Sequence, residues 1–107
     1  MASELGQLIR EQRTNLEIGV RELARRVELS ATMIVKLEQE DSPPSISEEK
    51  LSRIALELGL EADEVVFLGG KIPADVRPET VEEIELFRVV KSLPEDERKR
   101  LLASNDE

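Results

Sequence analysis

The sequence predicts an all-α protein, and three observations support this prediction. Helix-forming Glu, Leu, Arg, Ala and Lys dominate the composition, whereas aromatic residues make up 2% of the chain. Apolar residues recur at spacings of three and four, the period of an amphipathic helix. Segments of this pattern begin at residues that cap helices and end at Gly or Pro. The same composition leaves strand-forming clusters of aromatic and β-branched residues scarce.

Each expected helix has its own start signal or apolar stripe. Ser3, Ser30 and Ser47 precede apolar repeats and are good N-caps. Ser92, with Glu95 three residues later, predicts a capping box at the start of the last helix. The expected helices span approximately residues 3–14, 20–27, 31–38, 48–58, 62–67, 79–93 and 95–107.

Proline and glycine divide the chain. Pro43 and Pro44 are expected to end the third helix, because neither can continue it. Two further prolines lie in segment 71–78, which is interpreted as a linker. The predicted organisation is therefore a first domain at 1–70, a linker at 71–78 and a helical extension at 79–107.

Charge is distributed unevenly along the chain. Residues 1–38 carry six basic and six acidic side chains, whereas residues 39–107 carry nine basic and eighteen acidic ones, for a net charge of -9. Such acidity argues against indiscriminate nucleic-acid binding. It leaves room for a local basic face in the first third of the chain.

Several function classes are disfavoured by composition. The chain has no Cys and no His, so it lacks the usual thiolate and imidazole groups of metal sites and of acid–base catalysis. The Glu pairs at 48–49 and 82–83 are interpreted as surface charge. We therefore expect no enzyme, no metal and no cofactor. No apolar run approaches the ~20 residues of a membrane span, and a cytoplasmic protein is expected.

The spacing of residues 23–37 indicates a helix-turn-helix unit. Ala24 is small, as a close helix crossing requires, and Leu29 is placed to fill the turn. Ser30 can cap the following helix, and Ile34 and Leu37 can face the core. A helix held in this way presents one face to a DNA groove.

Taken together, these residues resemble the Cro/CI-like (XRE-type) helix-turn-helix family of phage repressors and bacterial regulators. The resemblance covers residues 5–68 and includes Arg13, the Leu23-Ala24 pair, Ser30, Ile34 and Glu38, the proline loop and the ending at 55–59. It implies a five-helix lambda-repressor-like DNA-binding domain, here followed by a two-helix extension. The implied partner is double-stranded DNA.

The resemblance also implies particular site residues. Arg13 and Glu38 match an internal ion pair that ties the first helix to the third; two separate solvated charges are the alternative. Arg26 lies beside the expected phosphate contacts. The implied DNA-contact residues are Arg21, Arg25, Ser30, Ala31, Thr32, Val35 and Lys36. For the arginines the alternative is a solubilising face, and for Ala31 and Val35 it is ordinary helix packing.

The sequence departs from the family pattern at several positions. Val20 replaces the Gln expected at the start of the second helix, so the helix N-terminal amides alone would contact phosphate there. Glu28 stands at a turn position usually held by Gly. Gln39, Glu40 and Asp41 replace Gly and a basic residue, and the acids would repel phosphate unless this loop turns away. We expect that it does.

The C-terminal extension has an apolar stripe that needs a partner surface. Val81, Ile84, Phe87 and Val90 are expected to hold a homodimer, with Leu86 as an alternative to Phe87. Dimers of such readers engage two half-sites about 34 Å apart. A tail folded over its own domain is the alternative.

Three functions remain open on the sequence. The first is a sequence-specific transcriptional regulator, most simply a repressor. The second is an antitoxin-like or partner-controlled regulator whose acidic C-terminal region binds another protein. The third is a helix-turn-helix module that has lost DNA binding and acts through protein contacts, which Val20, Glu40 and Asp41 favour.

Overall fold

The computed structural model describes residues 2–42 and 44–105, and every regular element in those ranges is helical. The all-α prediction is therefore confirmed. Pro43, one of the two prolines expected to end the third helix, lies outside the described residues, as do Asp106 and Glu107 of the predicted extension. The helices are α1 (Glu4–Asn15), α2 (Val20–Val27), α3 (Ala31–Gln39), α4 (Glu48–Leu58), α5 (Ala62–Leu68), α6 (Val81–Ser92) and α7 (Glu95–Asn105), with a 3-10 turn at Ala74–Val76.

Three serine caps start helices of the N-terminal region. The hydroxyl oxygens of Ser3, Ser30 and Ser47 each accept a hydrogen bond from the amide three residues later, at 3.0, 3.0 and 3.2 Å. Each bond satisfies one of the amides that a helix start leaves without an intrahelical partner. The local sequence therefore sets where α1, α3 and α4 begin.

The predicted capping box at Ser92 is wrong. Ser92 is the last residue of α6, and its hydroxyl donates to the carbonyl oxygen of Val89 at 2.7 Å. The cause is Pro94, which disfavours helical backbone at the residue before it, so that Leu93 is extended (φ -70°, ψ 148°) and the helix breaks one residue after Ser92. A capping box starts α6 instead, between Thr80 and its third helical residue.

The chain divides into two compact units, Met1–Asp75 and Val76–Glu107. The first unit contains the buried core of the described residues. Its members all have less than a tenth of their surface in water, and they come from α1 to α5 and the segment before α4. They are Leu5, Ile9, Leu23, Ala24, Val27, Ile34, Leu37, Ile46, Leu51, Ile54, Ala55, Leu58, Val65 and Val66.

A glycine allows α1 and α3 to approach closely. A Cβ atom added at Gly6 would lie 2.5 Å from the carbonyl oxygen of Leu37 and 2.8 Å from that of Glu38. Real Cβ atoms do not come so near a backbone oxygen, so only glycine fits at this crossing. The close approach fixes where the outer face of α3 lies relative to α1.

The second unit exposes its apolar side chains. On α6, Val81 is 71% exposed and Phe87 is 62% exposed, whereas Leu93, just after the helix, is half-buried. On α7, Leu101 and Leu102 are exposed as well. Within residues 2–42 and 44–105, none of the helices combines the length and apolar character that crossing a bilayer requires.

Candidate nucleic-acid interface

The turn between α2 and α3 is formed by Glu28 and Leu29. Glu28 adopts left-handed backbone (φ 58°, ψ 45°), a conformation that usually favours glycine. The amide of Leu29 donates to the carbonyl oxygen of Ala24 at 3.0 Å and closes the C-terminus of α2. The Lys50 ammonium donates to the carbonyl oxygens of Val27 and Glu28 at 3.0 and 3.4 Å. Lys50 thus supports the turn from α4.

Helix α3 is anchored by one side and exposed on the other. Ile34 and Leu37 have no exposed surface and belong to the core. Thr32, Val35 and Lys36 are exposed, and their spacing of three and four places them on one face of the helix. This face presents a hydroxyl, a branched apolar group and an ammonium to solvent. Such groups can meet a base edge, a thymine methyl and a phosphate, respectively.

The predicted DNA-contact residues differ in their availability. Arg21 and Lys36 are exposed, and neither has a salt bridge to any residue in 2–42 or 44–105. The Ser30 hydroxyl accepts from the Met33 amide, so its main role here is the cap. Ala31 is half-buried and packs against the core.

Glu22 is hydrogen-bonded to both Arg25 and its neighbour Arg26, and these contacts were not predicted from the sequence. The Glu22 carboxylate accepts from Nε of Arg25 at 3.2 Å, from Nη2 of the same residue, and from Nε of Arg26 at 3.0 Å. These bonds lower the pKa of Glu22 and raise that of Arg25. The signal was present in the sequence, because residues three and four apart on a helix are neighbours.

Arg13 and Glu38 form a two-pronged contact between α1 and α3. Nε and Nη2 of Arg13 donate to the two carboxylate oxygens of Glu38 at 2.8 and 2.9 Å. Glu38 is 5% exposed and the Arg13 side chain 15%, and Nη1 of Arg13 donates to the Ile18 carbonyl at 3.0 Å. Hydrogen bonding to Glu38 raises the pKa of Arg13, outweighing the opposing effect of burial. The contact holds α3 against α1 and leaves the exposed face of α3 free.

The chain leaves α3 in an extended conformation. Gln39 is still helical and exposed, one turn after Val35 and Lys36, and it extends the outer face beyond the predicted contacts. Glu40 has φ -84° and ψ 145°, and its carbonyl oxygen accepts from the Ser3 amide at 3.4 Å. The backbone after α3 therefore passes beside the start of α1.

The four residues predicted for dimerisation are all exposed. Val81 and Phe87 keep more than half of their surface in water, whereas Ile84 is 38% exposed and Val90 39%. Leu86 and Val89 are exposed too, on a further side of α6. The Lys91 ammonium lies 5.7 Å from the centre of the Phe87 ring. Helix α6 is thus apolar over a wider arc than the single stripe that was predicted.

Within residues 2–42 and 44–105, no group of three or more His, Cys, Asp or Glu side chains is arranged to hold a metal ion.

Comparison with known proteins places the fold. Neither a model of a known protein family nor a curated protein sequence matches the chain. A solved chain from a complex titled SinR protein/SinI protein is similar to this one, with a TM-score of 0.53 and 13% sequence identity. The match covers 95% of this chain and 94% of that one. At this identity, the similarity shows the fold alone.

Proposed function

We propose that this protein is a sequence-specific DNA-binding transcriptional regulator, acting as a repressor, that places α3 in the major groove. The observation that carries the proposal is the exposed face of α3. Thr32, Val35 and Lys36 share that face, while the opposite side of the helix is held by the core. An anchored helix with such a face is the element by which helix-turn-helix proteins read bases.

Local charge supports DNA binding in spite of the acidic chain. Residues 20–36 contain four basic and two acidic side chains, for a local charge of +2. Glu38, which follows, is buried against Arg13 and adds no exposed negative charge. The N-terminus of α2 has no side-chain cap at Gly19, so its first amides are available to a phosphate oxygen.

We also propose that two copies pair through α6. The helix exposes apolar groups on several sides, and helices of this kind are normally covered by another surface. A second copy would supply that cover and would bring a second reading helix to the DNA. Nothing in this argument requires a cofactor, a metal or an enzymatic step.

Sedimentation equilibrium at micromolar concentration tests the pairing. We expect a dimer for the natural sequence and a monomer for Phe87→Glu, because the new carboxylate would lose hydration in the interface. Leu56→Glu is the matched control, since Leu56 is 73% exposed on α4 and lies outside the proposed interface. A monomeric natural protein, or equal weakening by both variants, contradicts the pairing.

A partner-controlled, antitoxin-like regulator is the second candidate, and two observations favour it. The similar solved chain comes from a complex of two different proteins, and the second unit of this protein exposes several apolar side chains. In that case α6 and the acidic C-terminal region would bind another protein. A module that acts only through such protein contacts, without binding DNA, is the extreme form of the same hypothesis.

Selection from a pool of random DNA duplexes, followed by gel shift at low and moderate salt, distinguishes these functions. A regulator recovers a defined sequence. Lys36→Ala should then weaken binding to that duplex at least several-fold and reduce the salt slope by about 1. Lys99→Ala is the control: it also removes one lysine, but Lys99 pairs with Glu95 on α7 and is not among the proposed DNA contacts. Absence of binding at every salt concentration would refute the DNA-binding proposal and leave the protein-contact module.

A further inference from the structure

The exposed side of α2 has a cluster of one carboxylate and two guanidinium groups. Glu22 lies at the centre of this face and binds the side chains of Arg25 and Arg26 together. Its side chain is 39% exposed, and that of Arg25 is 72% exposed. The cluster is therefore at the surface, where a ligand can reach it.

A second carboxylate continues the cluster onto α4. Nη1 of Arg26 lies 3.9 Å from a Glu57 carboxylate oxygen, and Nε of Arg53 lies 3.4 Å from the other. Arg26 is thereby held from two sides, by Glu22 and by Glu57. Within residues 2–42 and 44–105, by contrast, the Arg25 guanidinium is hydrogen-bonded to Glu22 alone.

Carboxylate and phosphate recognise a guanidinium in the same way. Both offer two oxygens that accept the parallel N–H groups of arginine. An arginine whose Nε and Nη2 are both bonded to Glu22 cannot offer that edge to DNA at the same time. The Glu22 charge also repels any phosphate that approaches. Exposed ion pairs contribute little stability, so the phosphate can displace Glu22, but at a loss of affinity.

We propose that Glu22 competes with DNA phosphates for Arg25 and Arg26 and so limits both the affinity and the salt dependence of DNA binding. The inference rests on the proposed function, because it presupposes that α2 lies against the DNA backbone. The intramolecular carboxylate lowers affinity for every sequence alike, since phosphate contacts carry no base information. Base contacts from α3 therefore account for a larger share of the remaining binding free energy.

The test compares Glu22→Gln with the natural protein on the duplex obtained by selection, across a series of salt concentrations. Gln keeps the shape and helix propensity but removes the charge. At low salt we expect binding to tighten about 3- to 10-fold, from the relieved repulsion and the freed arginines. The plot of log affinity against log salt should become steeper by about 1 to 2, because each new phosphate contact releases counterions.

Two further variants separate this mechanism from general charge. Glu11→Gln removes the same charge from an exposed position on α1 and should leave the slope unchanged. In an Arg25→Ala, Arg26→Ala background, Glu22→Gln should lose most of its effect. Circular dichroism verifies that each variant remains folded.

The outcomes are distinct. An unchanged slope for Glu22→Gln, or an equal gain from Glu11→Gln, overturns the competition while DNA binding by the natural protein stands. If neither the natural protein nor Glu22→Gln binds DNA at any salt concentration, the proposed function fails and this inference fails with it.

Discussion

Replacing Glu38 by Gln should destabilise the first unit strongly, although it exchanges only one carboxylate oxygen for an amide NH2 group. The carboxylate accepts two short hydrogen bonds from Arg13 and is 5% exposed, so water cannot replace it as a partner. Removing one partner of a buried ion pair costs about 3–5 kcal/mol. Arg13 keeps 15% of its side chain in water and keeps its bond to Ile18, which reduces the loss. We therefore expect Glu38→Gln to lower the free energy of unfolding by about 2–3 kcal/mol.

Urea denaturation followed by far-ultraviolet circular dichroism measures this loss. The chain has no Trp and no Tyr, so helix content is a better signal than fluorescence. With a denaturant slope of roughly 1–2 kcal/mol/M, the urea midpoint should fall by roughly 1–3 M. The slope itself should not change if the variant unfolds in the same two-state manner.

A double-mutant cycle separates the pair from its surroundings. Arg13→Met alone leaves Glu38 buried without its partner and should cost as much as Glu38→Gln. The cycle is completed by Glu38→Leu alone and by the double variant Arg13→Met, Glu38→Leu, which replaces the pair by apolar groups and should recover most of the loss. A loss below about 0.5 kcal/mol for Glu38→Gln, or strictly additive single effects, would refute the view that this pair is buried and coupled.

Three smaller perturbations test other features of the structure. Gly6→Ala should cost about 1–3 kcal/mol of unfolding free energy, because the new methyl group meets the Leu37 carbonyl; a neutral result in urea denaturation would contradict the close helix crossing. Glu28→Gly should stabilise the protein by up to about 1 kcal/mol by relieving left-handed backbone, measured in the same way, and destabilisation would contradict this. The ion pairs of Glu22 hold its pKa below the ordinary Glu value of about 4.3. Their contribution to the free energy of unfolding is therefore present above that value and lost as pH falls through the lowered pKa. The difference in unfolding free energy between the natural protein and Glu22→Gln should then be constant near neutral pH and vanish in acid. A difference independent of pH would count against the pairing.

Helix positions were largely readable from local sequence. The three serine caps and the apolar spacing placed α1 to α5 within a residue or two of their bounds, because each signal acts within one turn of its own residue. The failure at Ser92 was also local. The restriction that Pro94 imposes on Leu93 outweighed the capping pattern.

Contacts between distant segments were not readable in this way. Nothing near Gly6 in the sequence indicates that the Leu37 carbonyl will lie against it. Lys50 similarly supports the α2–α3 turn from a different helix, which makes a left-handed Glu28 tolerable. Glu22 belongs to neither group. Its partners are local in the sequence, but whether its ion pairs affect DNA binding depends on which surface α2 faces.

The sequence by itself determined that the regular elements of the described residues are helices, where α1, α3 and α4 begin, which apolar residues form the core, and that the C-terminal two-thirds is acidic. These depend on backbone propensity, capping and burial, which act residue by residue. Only the tertiary structure decided which charges remain available. Arg21 and Lys36 are left without an ion pair in the described ranges, whereas Arg13 is held by Glu38 of α3 and Arg26 also lies near Glu57 of α4. An ion pair forms only where folding brings two side chains within a few ångströms, and composition contains no such distance.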